Sequence, residues 1–213
     1  MRRIGWRLLA ILLSTQVTGC GAPAPRPDIL LVTLDTVRYD QTSLPDDGPA
    51  TTPRLRRLAG EGVSFDLAYA PSPVTAPSHL SLLSGRYPFE HGVTANGLAL
   101  PGSLPVLAET LARRGYETAA FVSSFVLARD FGWGRGFAHF DDEFRPESAS
   151  VVASSWEGFP LAGGALDRRA GAVTDRALAF LEQRGASSAP VFLWVHYFDP
   201  HTPYDPPAEF AGA

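Results

Sequence analysis

Three continuous apolar runs, separated by segments of helical periodicity, constrain the fold of this 213-residue chain more than any other feature. The runs are residues 29–34, 118–122 and 191–195, and none of them alternates regularly between apolar and polar side chains. Strands of this kind are typical of parallel sheets that are covered on both faces. The sequence therefore predicts an α/β fold, with a mostly parallel sheet flanked by helices and with ligands at the carboxyl ends of the strands.

The remaining elements are predicted from start and stop signals. Thr51-Thr52-Pro53 offers an N-cap and a proline suited to a first helical turn, so a helix should begin there and end near residues 60–62. Gly85 ends a short helix predicted over residues 78–84, which follows a loop. The other predictions are a strand at 63–68, a helix that ends before Gly115, a helix over 167–184 and a long surface excursion over 132–164.

The N-terminus has the pattern of an export signal. Three arginines surround an apolar run, residues 8–13, that is too short for a transmembrane helix. The motif Val17-Thr18-Gly19-Cys20 resembles the bacterial lipobox, in which the cysteine becomes the acylated N-terminus. We predict a signal peptide over 1–19, lipidation at Cys20 and a Pro-rich tether over 20–27. An ordinary signal peptide with an unrelated cysteine is the alternative.

Composition limits the compartment and the partners. Cys20 is the only cysteine, so the chain has no internal disulfide framework. Loss of the signal peptide changes the formal charge from −4 to −7, and no basic stripe follows in the remaining 194 residues. We therefore expect no nucleic-acid partner. The protein is predicted to be exported and lipid-anchored in a bacterial cell envelope, at the periplasmic or extracellular face, and to touch the membrane through its lipid alone.

Polar residues gather where the predicted strands end. Asp35 directly follows the first strand, where a carboxylate is a natural ligand for a hard divalent cation, although it also suits a turn cap. Thr75 lies at the start of the helix marked by Pro77, where backbone N–H groups and the helix dipole favour an anion. A helix-capping role for Thr75 is the alternative.

Other polar residues near these clusters also have two interpretations each. His196 and His201 flank a turn after the last strand, where an imidazole can bind an oxyanion or protonate a leaving group; His196 is equally suited to a structural role. Asn96 suits contact with a phosphoryl oxygen or an ordinary turn with Gly97. Arg38 suits either a bound anion or the solvated surface.

Four segments in chain order together resemble the N-terminal half of the sulfatase family, within the alkaline-phosphatase superfamily. They are residues 29–40, 52–70, 75–96 and 191–207. The most specific segment is Thr75-Ala76-Pro77-Ser78-His79, followed by Leu82-Leu83-Ser84-Gly85-Arg86, which resembles the family signature C/S-x-P-S-R and L-L-T-G-R. The segment Phe198-Asp199-Pro200-His201 resembles the later one whose histidine contacts the anionic group of the substrate.

The resemblance implies a metal-dependent hydrolase of sulfate or phosphate esters, whose nucleophile stands at the first signature position. On this basis the catalytic residues are Thr75, His201 and Arg86, the substrate-binding residues are Asn96, His79 and His196, and the metal ligands are Asp35 and Thr75. The implied cofactor is a divalent metal, Ca²⁺, Zn²⁺, Mg²⁺ or Mn²⁺. The implied substrate is a small-molecule, glycan or lipid ester of sulfate or phosphate.

The sequence also departs from the family pattern. Thr75 stands where cysteine or serine is converted to formylglycine, and it resembles the threonine of the phosphodiesterase and phosphonate-ester hydrolase branches. His79 replaces an arginine, Thr36 replaces a second acidic ligand, and Ser123 and Phe125 replace a Lys-x-His pair.

The second half of the family carries a further Asp-His or Asp-Asn metal pair, which this sequence does not contain. Residues 28–213 are accordingly predicted to be the N-terminal part of a sulfatase-like hydrolase domain, incomplete at its C-terminus. A lipid-tethered anion-binding or remnant protein without turnover is the alternative.

Overall fold

A computed structural model describes residues 26–45 and 48–210. The predicted signal peptide, the lipobox and Cys20 lie outside the described residues. Within the described part, no helix is long and apolar enough to cross a membrane.

The centre of the described structure is a four-stranded parallel sheet, formed by β1 (Ile29–Leu34), β2 (Glu117–Phe121), β3 (His139–Asp141) and β6 (Val191–Tyr197). The strands lie in the order β1-β6-β2-β3 across the sheet. The two short strands between β3 and β6, β4 (Ser155–Trp156) and β5 (Phe159–Pro160), form a separate antiparallel pair. The predicted α/β class and parallel sheet are confirmed, because all three strand pairs of this sheet are parallel. Parallel strands need long crossover connections, and helices lie within these connections.

Five α-helices lie between or beside these strands in the described residues. They are α1 (Pro53–Glu61), α2 (Thr75–Ser84), α3 (Pro88–His91), α4 (Leu107–Arg113) and α5 (Ala170–Arg184). The predicted end of α2 is confirmed: Gly85 takes a left-handed conformation with φ of 68°, which a residue with a Cβ adopts only at a cost.

Alternation along β6 separates two apolar layers. Phe192 and Trp194 pack on one face with Leu80 of α2, whereas Leu193 packs on the other face with Val173 of α5. Burying one such side chain stabilises the fold by roughly 2 kcal/mol. His196 follows the same alternation as Trp194, so it points to the side of the sheet on which α2 lies.

Three predictions differ from the structure. Residues 63–68 form no strand, because no neighbouring strand pairs with them among the described residues. The helix α2 begins at Thr75, three residues earlier than predicted, since Val74 is the last extended residue before it. The excursion over 132–164 contributes β3 to the main sheet, and a three-residue strand is too short to give a periodic signal.

Within the part of the chain that the structure describes, an apolar surface beside β1 is uncovered. Leu30, Val32 and Leu34 lie on the same face as Leu193, beyond the reach of α5, and all three are exposed. The segment 63–69 carries Val63, Phe65, Leu67 and Tyr69 at every second position, and their exposed fractions range from 75% to 84%. Spacing of this kind is typical of a strand that has one apolar face to cover.

Candidate functional site

Thr75 and Asp35 meet where α2 begins and β1 ends. The Thr75 Oγ1 hydroxyl donates a hydrogen bond of 3.1 Å to Asp35 Oδ2. Asp35 is held there because its backbone N–H donates to Tyr197 O at 2.9 Å, which extends the β1–β6 pairing by one residue. The two residues that the sequence predicts as metal ligands are therefore neighbours in the fold.

Asp35 remains ionised although it is only 6% exposed. Burial by itself raises the pKa of this carboxyl. The hydrogen bond and electrostatic interaction with His196 and the hydrogen bond from Thr75 outweigh that effect, so the pKa of Asp35 lies below its ordinary value. A carboxylate in this position orients the Thr75 hydroxyl by accepting a hydrogen bond from it.

His196 lies behind Asp35 and is fully buried. Its Nε2 is 3.5 Å from Asp35 Oδ2, at the limit of a hydrogen bond, and has no other partner among the described residues. On the other side of the ring, Nδ1 is 3.2 Å from Ser123 Oγ. The prediction that His196 contacts a substrate needs correction, because its ring has no solvent exposure.

The series Ser123, His196 and Asp35 has the residue types of a hydrolytic triad, but its geometry excludes that role. Ser123 Oγ belongs to a fully buried residue and also donates to the His196 carbonyl oxygen at 2.7 Å. A nucleophile must reach its substrate. Thr75, at the start of α2, is partly exposed.

His79 lies one helical turn after Thr75. Its Nδ1 donates to the Thr75 carbonyl oxygen at 2.8 Å, which leaves the lone pair of Nε2 unprotonated. The ring also meets the edge of His196 at a centroid distance of 4.9 Å. Burial, reinforced by the charge of His196, lowers the pKa of His79 to about 4. At neutral pH this position therefore offers a neutral imidazole rather than the cation of the family's arginine.

Asn96 reaches the same helix end from the following loop. Its Oδ1 accepts a hydrogen bond of 2.9 Å from Ala76 N–H, so it caps one of the free donors of the first turn of α2. Because Oδ1 faces the helix, Nδ2 is the end of the amide that is left to donate to a ligand. Asn96 therefore caps α2 through Oδ1, while its Nδ2 is free to make the predicted contact with an anion.

His201 lies after β6 on the turn that adjoins the Asp35 loop. Its Nδ1 donates to Thr202 O at 2.6 Å, and its ring stacks on Phe198 at 4.4 Å. The two loops are joined because Thr36 Oγ1 donates to Pro200 O at 3.1 Å. Asp199 instead caps α5, accepting from Ala170 N–H at 2.9 Å.

The predicted catalytic role of Arg86 does not match its position. Arg86 follows the C-terminal end of α2, and a ten-residue helix places it roughly 15 Å from the end that carries Thr75. Its guanidinium is exposed and pairs with Glu90 at 3.2 Å. Arg38 is likewise a surface residue, since it pairs with Asp40 at 2.6 Å while both side chains are exposed.

A cleft of about 580 Å³ runs along the outer side of α2, from His79 to Arg86. Thr33 and Leu34 of β1 line one wall, and Tyr69 and Tyr87 line others. The end of the cleft at His79 adjoins the Thr75 site, while most of its length is apolar.

A divalent cation needs several oxygen ligands, and the described residues supply few of them. Asp35 offers its carboxylate and Thr75 its hydroxyl, whereas the Thr36 hydroxyl donates to Pro200 O. Within residues 26–45 and 48–210, no group of three His, Cys, Asp or Glu side chains is arranged to hold a metal. The described residues alone do not complete the predicted metal site.

The described chain has a parallel sheet with a hydroxyl and a carboxylate at its carboxyl edge, and solved structures of the sulfatase and alkaline-phosphatase fold class share this architecture. A structure solved with D-glucosamine-2-N,6-O-disulfate aligns with a TM-score of 0.69 and 25% identity, over 85% of this chain and 36% of that one. The phosphonate monoester hydrolase of Agrobacterium radiobacter aligns with a TM-score of 0.62 and 22% identity, over 86% and 43%. The latter likeness shows the fold.

The chain belongs to the sulfatase family, whose family model matches residues 27–213. It is 29% identical to N-acetylgalactosamine-6-sulfatase of Canis lupus familiaris over 98% of this chain and 46% of that protein. It is 25% identical to N-acetylglucosamine-6-O-sulfatase of Bacteroides thetaiotaomicron over 96% and 37%. The chain spans less than half the length of these relatives.

Proposed function

We propose that this chain is the nucleophile-bearing part of a metal-dependent hydrolase of sulfate or phosphate esters, with Thr75 as the nucleophile. The observation that carries the proposal is the 3.1 Å hydrogen bond between Thr75 Oγ1 and Asp35 Oδ2 at the N-terminus of α2. A hydroxyl, an ionised carboxylate and the positive end of a helix dipole converge there. The family membership and the sulfatase relatives support hydrolysis of an ester of an inorganic acid.

In this proposal each residue has a defined task. The N-terminus of α2 and the Asn96 amide stabilise the equatorial oxygens of the ester group. Asp35 orients the Thr75 hydroxyl and takes its proton as Thr75 Oγ1 forms a bond to sulfur or phosphorus and the bond to the leaving alcohol breaks. In the proposal, His201 on the adjoining turn protonates the leaving oxygen from its doubly protonated form, since Nδ1–H of the ring already donates to Thr202 O. Water, which gives a proton to His201, then attacks the sulfur or phosphorus. Asp35 returns its proton to the Thr75 oxygen, and the inorganic acid is released.

A divalent metal is part of the proposal because of the resemblance to the family. Asp35 and Thr75 would be its ligands from this part of the chain, and the remaining oxygens would come from outside the described residues. When bound, such an ion lowers the pKa of a hydroxyl and neutralises charge that develops on the ester.

The substrate is proposed as a class. The names of the relatives point to sulfate esters of amino sugars. Thr75 in place of a formylglycine precursor and the neutral His79 favour phosphate esters, because they change the two features of the signature that serve sulfate. Small-molecule, glycan and lipid esters of either acid are the candidates.

The test compares esters that share one leaving group. Aryl sulfate, aryl phosphate and a diaryl phosphate would be offered, with each divalent metal in turn, to the full chain and to a version extended to the length of the relatives. Thr75→Ala should abolish turnover, a loss of at least about 100-fold, whereas Thr75→Ser should retain part of it. Ser84→Ala, a hydroxyl at the other end of α2, is the matched control. Turnover that survives Thr75→Ala would remove Thr75 from its role.

A second candidate function is anion binding without turnover. It is favoured by Asp35, the one carboxylate that the described residues place at Thr75, and by Thr36, which stands where the family has a second acid. Binding of inorganic sulfate or phosphate to both versions, without hydrolysis of any of the three esters, would support this candidate over the enzyme.

A further inference from the structure

Residues 91–97 form a strap that runs antiparallel to α2. At one end of the strap, the His91 ring contacts Ser81 in the second half of the helix at 3.0 Å. At the other end, Asn96 caps Ala76 at the start of the helix at 2.9 Å. Between them, Val93 is buried in the same apolar cluster as Leu80. These two side-chain hydrogen bonds join the strap to α2.

The contacts at His91 form a relay with a single direction. Val93 N–H donates to His91 Nδ1 at 3.1 Å, so Nδ1 carries no proton. His91 Nε2–H therefore donates to Ser81 Oγ, and the Ser81 hydroxyl donates to Pro77 O at 2.9 Å. Burial lowers the pKa of His91, which keeps the ring neutral at neutral pH and fits this one tautomer.

The relay is built into the interior. His91 is 4% exposed and Ser81 is 7% exposed. Its last acceptor, Pro77 O, belongs to the first turn of α2, two residues after Thr75. The two contact points on the strap, His91 and Asn96, are five positions apart in the sequence. Their partners on the helix, Ser81 and Ala76, are also five positions apart.

We propose that His91 is a positioning residue, which through Ser81 sets the register of the strap on α2 and thereby holds Asn96 at the helix end beside Thr75. Its effect on turnover rests on the proposed function of Thr75, whereas its effect on the strap does not. Without the His91–Ser81 contact, the strap slides along α2, and the Asn96 amide leaves both Ala76 and the position of a bound ester.

Two substitutions separate the two ends of the imidazole. His91→Asn keeps an acceptor where Nδ1 accepts from Val93 but removes the donor to Ser81. His91→Gln places an amide N–H where Nε2–H donates to Ser81 but removes the acceptor for Val93. Ser81→Ala breaks the relay from the other side. Ser84→Ala is the matched control, because Ser84 makes the same kind of bond, to Leu80 O at 2.6 Å, without contacting His91.

The first readout is amide hydrogen exchange of Ala76 in the full chain, whose N–H is protected by Asn96. We expect His91→Asn and Ser81→Ala each to speed this exchange about tenfold, and the double variant to speed it no further. His91→Gln and Ser84→Ala should stay within about threefold of the parent chain. Asn96→Ala serves as the positive control for complete loss of protection.

The second readout is turnover by an active version. His91→Asn and Ser81→Ala should lower kcat about tenfold with KM within about twofold, since a misplaced donor is felt mainly in the transition state. If no version hydrolyses any ester, the proposed function fails while the exchange measurement still decides the role of His91. Unchanged Ala76 exchange in His91→Asn and Ser81→Ala, with only a lower melting temperature, would overturn the proposal.

Discussion

His196 Nε2 lies 3.5 Å from Asp35 Oδ2, and the fully buried ring contacts this carboxylate from the protein interior. This placement predicts the effect of His196→Leu, which keeps the packing but removes both ring nitrogens. The pKa of Asp35 should rise, because burial then acts without the compensating hydrogen bond and charge. Activity of a turnover-competent version should fall about tenfold or more.

The measurement is a carboxyl-carbon NMR titration of Asp35 in the parent chain and in His196→Leu. Ser123→Ala is the control, since it removes the hydroxyl beside Nδ1 while leaving Nε2 in place. An Asp35 titration that does not move in His196→Leu would show that His196 is only a packing residue.

Thr36 gives a prediction about metal binding. It has a left-handed φ of 54°, which is uncommon for a β-branched residue, and it stands where the family has a second acid. Thr36→Asp should tighten divalent-metal binding about tenfold, because it adds a hard oxygen ligand next to Asp35. Thr36→Asn adopts the same backbone more readily without adding charge, so it is the matched control. Isothermal titration calorimetry with Ca²⁺ and Mn²⁺ measures the affinity of each variant. Equal metal affinity of Thr36→Asp and Thr36→Asn would contradict a metal site beside Asp35.

The sequence predicted those parts of the molecule that depend on local pattern. The strands at Ile29–Leu34 and Val191–Tyr197 follow from apolar runs, and their shared direction places Asp35 near the start of α2. Parallel strands end at the same edge of a sheet, so this meeting is a consequence of topology.

The sequence did not predict which site residues are accessible. His196 is buried and Arg86 lies at the far end of α2, although both are near Thr75 in motif or in order. The solvent exposure of a site residue depends on contacts between residues more than 70 positions apart, such as Ser123 with His196. Local sequence patterns do not predict such contacts. The structural role of His91 was missed for the same reason, since its partner Ser81 is assigned only once α3 turns the chain back on α2.

The buried pair of Arg168 and Asp141 predicts acid sensitivity. Arg168 Nη1 lies 2.5 Å from Asp141 Oδ1, and Arg176 contacts the other oxygen at 2.8 Å. Burial raises the pKa of Asp141, but the two guanidinium groups outweigh it, so the folded-state pKa lies below the ordinary value of 3.8. The pair therefore stabilises the fold above the unfolded-state pKa, and this stability is lost as pH falls through the folded-state pKa.

Asp141→Asn tests this expectation, because it leaves the buried Arg168 charge without its partner. It should lower the free energy of unfolding by about 3 kcal/mol at pH 7, and the difference from the parent chain should shrink as pH falls below about 4. Urea unfolding at several pH values measures both. Glu143→Gln is the control, since Glu143 is an exposed partner of Arg176. A difference that is constant with pH would contradict the assignment.

Lipidation at Cys20 is a prediction from the lipobox-like motif Val17-Thr18-Gly19-Cys20. Expression of the full chain in a bacterial host should give a membrane-associated product that incorporates labelled fatty acid, because acyl chains contribute the membrane affinity. Cys20→Ala should remove the label and release the protein from the membrane fraction. A soluble, unlabelled parent chain would instead favour an ordinary signal peptide.

The exposed apolar side chains of residues 63–69 predict self-association of the full chain. Phe65 and Leu67 are 75% and 80% exposed, and β1 lies at the edge of the described sheet with Leu30 and Val32 uncovered. Exposed strand edges with apolar faces pair with other chains. Phe65→Lys combined with Leu67→Lys should lower the weight-average mass in sedimentation velocity at concentrations where the parent chain associates. Ser64→Lys combined with Ala68→Lys adds the same charge at neighbouring exposed positions and is the control, so an equal effect of that pair would attribute the result to net charge rather than to apolar contact.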